Sequence, residues 1–165
     1  MKLLYTLILL LLSCSTQPED CAGVAGGTAE EDMCGVCDTY LTNDCLPDGH
    51  SYNSSMLQAF YFFSSVTLDG MLIDSNDWVI AVNDSVVVGS HQWDTSICNG
   101  ICAVPAMGDN GSDDTAGYMQ TGGVPSFVIY DTSSDTYYQA ITSEPIDVWS
   151  NSGIFINDSL QAFTQ

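Results

Sequence analysis

From about residue 50 onward, apolar residues fall in short runs separated by Gly, Asn, Asp and Ser, and no run keeps a helical period. The pattern predicts strands near Leu57–Leu68, Trp78–Val82, Ser85–Ser90, Pro125–Tyr130, Thr136–Thr142 and Gly153–Ile156. Asn83-Asp84, two residues that tolerate positive φ, join the second and third as a tight hairpin. Asp131-Thr132-Ser133-Ser134-Asp135 joins the fourth and fifth through a longer loop. Hairpins without intervening helices imply an all-β fold, an antiparallel β-sandwich of jelly-roll or Ig-like type. The stretch from about Thr95 to Thr121 reads as one long loop, a length that usually carries function or a metal.

The pattern changes upstream of residue 50. Residues 1–13, MKLLYTLILLLLS, place one Lys before an apolar run too short to span a bilayer, which is the build of a secretory signal. The run ends Leu11-Leu12-Ser13-Cys14, similar to a bacterial lipobox, in which Cys14 becomes the lipid-modified first residue. Ordinary cleavage near Gln17, discarding Cys14, is the alternative. Residues 14–49 form a Cys-rich acidic stalk with no apolar run able to build a core, so this segment must be stapled. The module proper then spans 50–165.

Charge narrows the possible partners. The chain has 165 residues, 21 Asp and Glu, and a single base, Lys2, for a formal net charge of −20. A nucleic-acid backbone or an anionic lipid surface needs Lys or Arg to displace its counterions, so both are excluded, and a membrane is reached only through a lipid anchor. A hydrophobic fraction of 45% still argues for a folded body. Of seven Cys, giving Cys14 to a lipid leaves an even set: Cys21, Cys34, Cys37, Cys45, Cys98 and Cys102. Cys34 and Cys37 make a Cys-x2-Cys step that would suit zinc in a reducing compartment, but behind a secretory leader disulfides are the simpler reading. Cys98 and Cys102 close a tight local loop, read as a disulfide.

Two passages also carry a resemblance. DCAGVAGGTAEEDMCGVCD, residues 20–38, resembles short Cys/Gly/Asp repeats of large secreted proteins from marine and other environmental bacteria, departing from them at Ala25, where the repeat has a Cys. DWVIAVNDSVVVGSHQWD at 77–94, VPAMGDNGSDDTAGYM at 104–119 and VPSFVIYDTSSDTYYQA at 124–140 resemble a β-sandwich module of secreted and outer-surface proteins from such bacteria. The resemblance covers roughly residues 56–163. It implies a surface location and a sandwich fold, and it implies no reaction.

Candidate chemistry is sparse. Asp109, Asn110, Asp113 and Asp114 offer hard oxygen ligands of the kind Ca²⁺ takes, although no Glu stands where a helix-loop-helix calcium site would need it. A solvated acidic loop is the alternative. A second group, Asp69, Asp74, Asn76 and Asp77, reads as turn residues. Trp93 and Tyr118 are candidates for an exposed ligand-binding strip, whereas Trp78 reads as core. For nucleophilic catalysis the only histidines are His50 and His91, no Gly-x-Ser-x-Gly elbow occurs, and no catalytic residue is assigned. The expectation is therefore a secreted or cell-surface, non-enzymatic interaction module stabilised by Ca²⁺, facing an unidentified protein or glycan from a bacterial outer-surface or periplasm-facing lipoprotein. A carbohydrate-binding module is the second reading and a carboxylate-dependent hydrolase the third.

Overall fold

The computed structural model describes residues 17–31, 37–39 and 49–164. The expected leader, residues 1–13, lies outside the described residues, as do Cys14, Cys34 and Cys45. The chain divides into two compact units, Met1–Pro47 and Asp48–Gln165. Among the described residues no helix is long and apolar enough to cross a membrane.

In the first unit, β1 (Glu30–Glu31) pairs antiparallel with β2 (Cys37–Asp38). Without an apolar run, the segment is held by the Cys21–Cys37 disulfide and by the Asp20 carboxylate. That carboxylate accepts the N–H groups of Ala22, Val24 and Ala29 at 3.1, 2.8 and 3.2 Å. The Val24 bond leads the effects that hold its carboxyl below the usual range. Cys37 thus pairs with Cys21 and not with a zinc ion shared with Cys34.

The second unit contains β3 (Gln58–Leu68), β4 (Met71–Leu72), β5 (Trp78–Asn83), β6 (Val86–Gln92), β7 (Cys102–Met107), β8 (Ser126–Asp131), β9 (Thr136–Thr142) and β10 (Ile154–Ala162). Among the described residues one 3₁₀ turn occurs, at Asp113–Thr115. The hydrogen-bonded order is β4-β3-β10-β9-β8-β5-β6, and β7 also pairs with β3. Both expected hairpins form. Asn83 pairs with Val86 across a two-residue loop in which Asp84 has φ 54, and Asp131 pairs with Thr136 across a loop ending at Asp135, φ 50. The fold class is all-β with a small disulfide-bonded N-terminal segment, and the sheet is curled and mostly antiparallel.

Two elements differ from expectation. The stretch 95–121 is not one loop, because Cys102–Met107 forms β7 along Gln58–Phe63. Its sequence, CAVPAM, lacks alternation and contains Pro105. Proline is tolerated here because β7 bonds only to β3, leaving its other side without a ladder. The sheet is also not purely antiparallel: β10 runs parallel to β3, from Ile154 opposite Phe60 to Ala162 opposite Leu68.

Alternation along β3 sends Ala59, Tyr61 and Phe63 into the core, where Phe127 of β8 meets Tyr61 and Phe63 at ring-centroid distances of 5.6 and 5.1 Å. Trp149, between β9 and β10, is buried and donates its indole N–H to the Ala106 carbonyl at 2.9 Å. The curl brings β6 against β7 at Gly89, where an added Cβ would overlap the Pro105 carbonyl and stand 2.7 Å from its carbon. The obstacle is backbone, so it cannot rotate away. Gly89→Ala should therefore lose about 1–3 kcal/mol of stability, read as a lower urea midpoint at unchanged slope. An unchanged midpoint would mean that the seam between β6 and β7 opens freely.

Candidate functional site

At the end of β6 the chain passes through His91, Gln92 and Trp93 into a turn built by Asp94. The Asp94 carboxylate accepts the Ser96 N–H at 2.9 Å and the Ser96 hydroxyl at 2.6 Å, and the hydroxyl bond leads the effects that hold its carboxyl below the usual range. The Asp94 carbonyl accepts the Ile97 N–H at 3.2 Å. Left-handed conformations at Asn99 (φ 57) and Gly100 (φ 95) then reverse the chain so that Cys98 and Cys102 can form their disulfide, as their spacing predicts. Cys102 opens β7 and is buried, whereas Cys98 is half-buried.

The turn returns Cys98 to β6. Its Sγ lies 3.6 Å from Nε2 of His91, and the Asp94 carbonyl oxygen lies 3.2 Å from Cys98 Sγ and 3.6 Å from Cys102 Sγ. Burial holds the His91 imidazole below its ordinary pKa, so the ring is neutral at pH 7. Among the described residues His91, Cys98 and Cys102 form the one group of three metal-capable side chains, with all three donor atoms within 4.8 Å of one another.

This cluster borders a groove of about 510 Å³ whose walls are mainly apolar: Phe60, Phe62, Ile97, Ile101 and Pro105, with Tyr52 at one side. Strand register extends the apolar surface beyond the groove. Phe60 stands between Pro105 and Ile154, and Phe62 between Ala103 and Ile156. Ile154 and Ile156 are 69% and 77% exposed, and Ile97 is 74% exposed. The outer side of β7, β3 and β10 is thus apolar, as is the inner side that forms the core. The run Ala59-Phe60-Tyr61-Phe62-Phe63, aromatic at both parities, was the sequence signal for a strand with two apolar faces.

The other candidates fall elsewhere. Trp93 and Tyr118, expected to be exposed, are core residues at 3% and 5% exposure. The Trp93 N–H bonds the Asp77 carbonyl at 2.7 Å, setting the ring 6.4 Å from Phe63. The Tyr118 hydroxyl accepts the Asn53 N–H at 2.6 Å, so that segment covers it. Trp78, expected in the core, is half-buried.

In the acidic excursion, Asp109 accepts the Gly111 N–H at 2.8 Å, and Asn110 accepts the Ser112 N–H and the Thr115 hydroxyl, each at 2.9 Å. Asp113 and Asp114 are exposed in the 3₁₀ turn, and the carboxylates of this loop do not gather into a metal-capable group. Asp69, Asp74 and Asp77 line a cleft of about 340 Å³ with Asp131. Three of these carboxylates already hold loops. Asp77 accepts the Asp74 and Thr132 N–H groups, Asp131 accepts from Ser133 and Ser134, and Asp69 accepts from Thr164. Burial pushes the Asp77 carboxyl up despite its two N–H donors.

The other histidine sits in an aromatic box. His50 is fully buried beside Trp78, Tyr130 and Tyr137, with ring centroids at 5.0, 4.7 and 5.8 Å. Its Nε2 lies 3.2 Å from the Tyr137 hydroxyl, and its Nδ1 has no hydrogen-bond partner. Burial pushes its pKa down to about 4 from an ordinary 6.5. A histidine held neutral in the folded state stabilises fully above the unfolded value, and that contribution is lost as the unfolded chain takes up its proton. Stability should therefore fall from about pH 6.5 toward pH 4, by on the order of 2–3 kcal/mol from this group. His50→Gln should flatten that limb in urea titrations across the range, with His91 contributing in the same direction. A variant limb as steep as the wild-type one would assign the loss to other groups.

No family model matches the chain, and comparisons with curated proteins and with solved structures likewise return no match.

Proposed function

We propose that the protein is a secreted, non-enzymatic interaction module that binds through the outer apolar face of β7, β3 and β10. The carrying observation is that face itself, with Phe60, Phe62, Ile154 and Ile156 in adjacent register on a chain of net charge −20. Exposed apolar surface of this continuity marks a contact site. The described disulfides, Cys21–Cys37 and Cys98–Cys102, fit an oxidising extracytoplasmic compartment. The leader, the lipobox-like Cys14 and the resemblance to bacterial surface modules support attachment to an outer surface through lipid.

Charge selects the occupant. With no Lys or Arg beyond Lys2, a second copy would bring two strongly acidic surfaces together, whereas a basic, apolar polypeptide segment gains on both counts. The partner is accordingly a protein segment that alternates apolar and cationic side chains. Glycan capture by Trp93 and Tyr118 has less support, since both rings are in the core. A carboxylate hydrolase also has less, since the clustered acids are occupied in building loops.

A synthetic peptide alternating Leu and Lys should bind the full-length protein more tightly than a Ser/Lys peptide of equal charge. Phe62→Asp and Ile156→Asp should each weaken binding at least about tenfold, or about 1.4 kcal/mol, while Val124→Asp, in the loop before β8, leaves it unchanged. Equal binding of both peptides, or insensitivity to Phe62→Asp, overturns the assignment of this face. Dimerisation abolished by Ile156→Asp would put a second copy there instead.

Structural Ca²⁺ at the Asp109–Asp114 loop is the less supported part of this reading, because the ion would have to draw together Asp113 and Asp114, which are exposed and not gathered with Asp109 in this structure. Millimolar Ca²⁺ should raise Tm in the wild type, and Asp113→Asn with Asp114→Asn should remove the rise. No rise in the wild type would delete calcium and leave the apolar face untouched.

A further inference from the structure

We propose that Cys98 and Cys102 alternate between a disulfide and a pair of thiolates that, with Nε2 of His91, hold a zinc ion at the edge of the groove. The argument begins with distances. In a tetrahedral site, Zn–S bonds of about 2.3 Å and Zn–N bonds of about 2.0–2.1 Å place a ligand nitrogen about 3.6 Å from a ligand sulfur. Nε2 of His91 and Sγ of Cys98 are 3.6 Å apart already. All three donor atoms lie within 4.8 Å of one another, so the remaining requirement is that the two sulfurs separate, which breaking their bond permits. His91 and the half-buried Cys98 both line the groove, from which water would supply the fourth ligand.

A second observation concerns the backbone. The Asp94 carbonyl oxygen is 3.2 and 3.6 Å from the two sulfurs. Disulfide sulfurs carry no hydrogen to donate, whereas two thiols do, so the carbonyl is placed to accept from the reduced, metal-free dithiol, the state that precedes loss of the protons to zinc. The turn that sets this carbonyl is made by Asp94 and Ser96 and does not involve either sulfur. Opening the bond therefore leaves the donor frame standing.

The reductant is a dithiol. Its first thiolate attacks Cys98 Sγ, the accessible sulfur, and Cys102 leaves as a thiolate that takes up a proton. The second sulfur of the dithiol then displaces Cys98, so the dithiol is oxidised to a disulfide and the protein gains two electrons and two protons. Zinc binding releases both thiol protons. In the reverse exchange a disulfide is the oxidant: one thiolate attacks it and expels one of its sulfurs, the second thiolate then closes the Cys98–Cys102 bond, and the two electrons leave on the dithiol so formed while the ion is released.

The test uses Co²⁺ as a spectroscopic stand-in for zinc on the full chain, reduced with a phosphine to avoid a competing chelator. The other cysteines are reduced too, so the informative quantity is the difference between variants. Wild type should bind one more Co²⁺ per chain than C98S/C102S, with thiolate charge-transfer and tetrahedral visible bands that Zn²⁺ bleaches. His91→Ala keeps both sulfurs and, when oxidised, its disulfide; it should weaken that extra site at least tenfold. The oxidised wild type should lack the site. Equal Co²⁺ stoichiometry in reduced wild type and C98S/C102S overturns the proposal, as does an extra site indifferent to His91→Ala. Retention of the Leu/Lys peptide by the oxidised wild type checks the groove separately, so failure of the metal site and failure of the docking surface are distinguishable.

Discussion

A chain with 21 acids and a single base, Lys2, cannot neutralise its carboxylates with salt bridges, and that constraint shapes the turns between its strands. The available partners are backbone N–H groups and hydroxyls. Asp20, Asp77, Asp94, Asp109 and Asp131 each accept at least one backbone N–H, and these bonds define the turns at which strands begin and end. Charge-assisted bonds of this kind are stronger than neutral ones, so an acidic composition becomes a source of loop order. The body consequently depends on its apolar residues for cohesion and on its acids for the geometry of its corners.

The cysteine turn shows how the two roles combine. Asp94 sets the turn, the turn carries Cys98 back to His91, and the flanking Ile97 and Ile101 complete the wall of the groove. A soft-donor cluster and an apolar wall therefore share one short segment after β6. The chemistry available at this place is that of sulfur and imidazole, while the recognition available is that of aromatic and aliphatic side chains on β3 and β10.

Most of the strands were legible because their apolar runs are bounded by Asn, Asp and Ser. The element missed, β7, carries Ala, Cys and Pro, and it is a strand only because β3 offers it a ladder. β10 runs to Ala162, past the expected end, because pairing with β3 and β9 carries the polar Asn157-Asp158-Ser159 along. At the site, the Cys98–Cys102 link could be read from spacing, but its neighbour His91 could not, since their approach depends on left-handed residues at 99 and 100. Trp93 and Tyr118 stand among polar neighbours and so read as surface; long-range bonds to Asp77 and Asn53 draw them inside. The outer apolar face was written plainly in the double parity of residues 59–63, but alternation is ordinarily read for the inner face alone.

β10 lies between β3 and β9 in the order of the sheet, so the last strand described is an interior one. Its partner on one side, β3, was synthesised some 94 residues earlier, as the pairing of Ile154 with Phe60 records. Contacts of such separation are entropically expensive to close and slow to form. Until β10 emerges, β3 with β7 and the β5, β6, β8 and β9 group lack the strand that joins them, and the aromatic outer side of β3 has no neighbour on that edge. A sheet joined in its middle by β10 therefore cannot take its full order until that strand is present, and the two strand groups that it links wait on it.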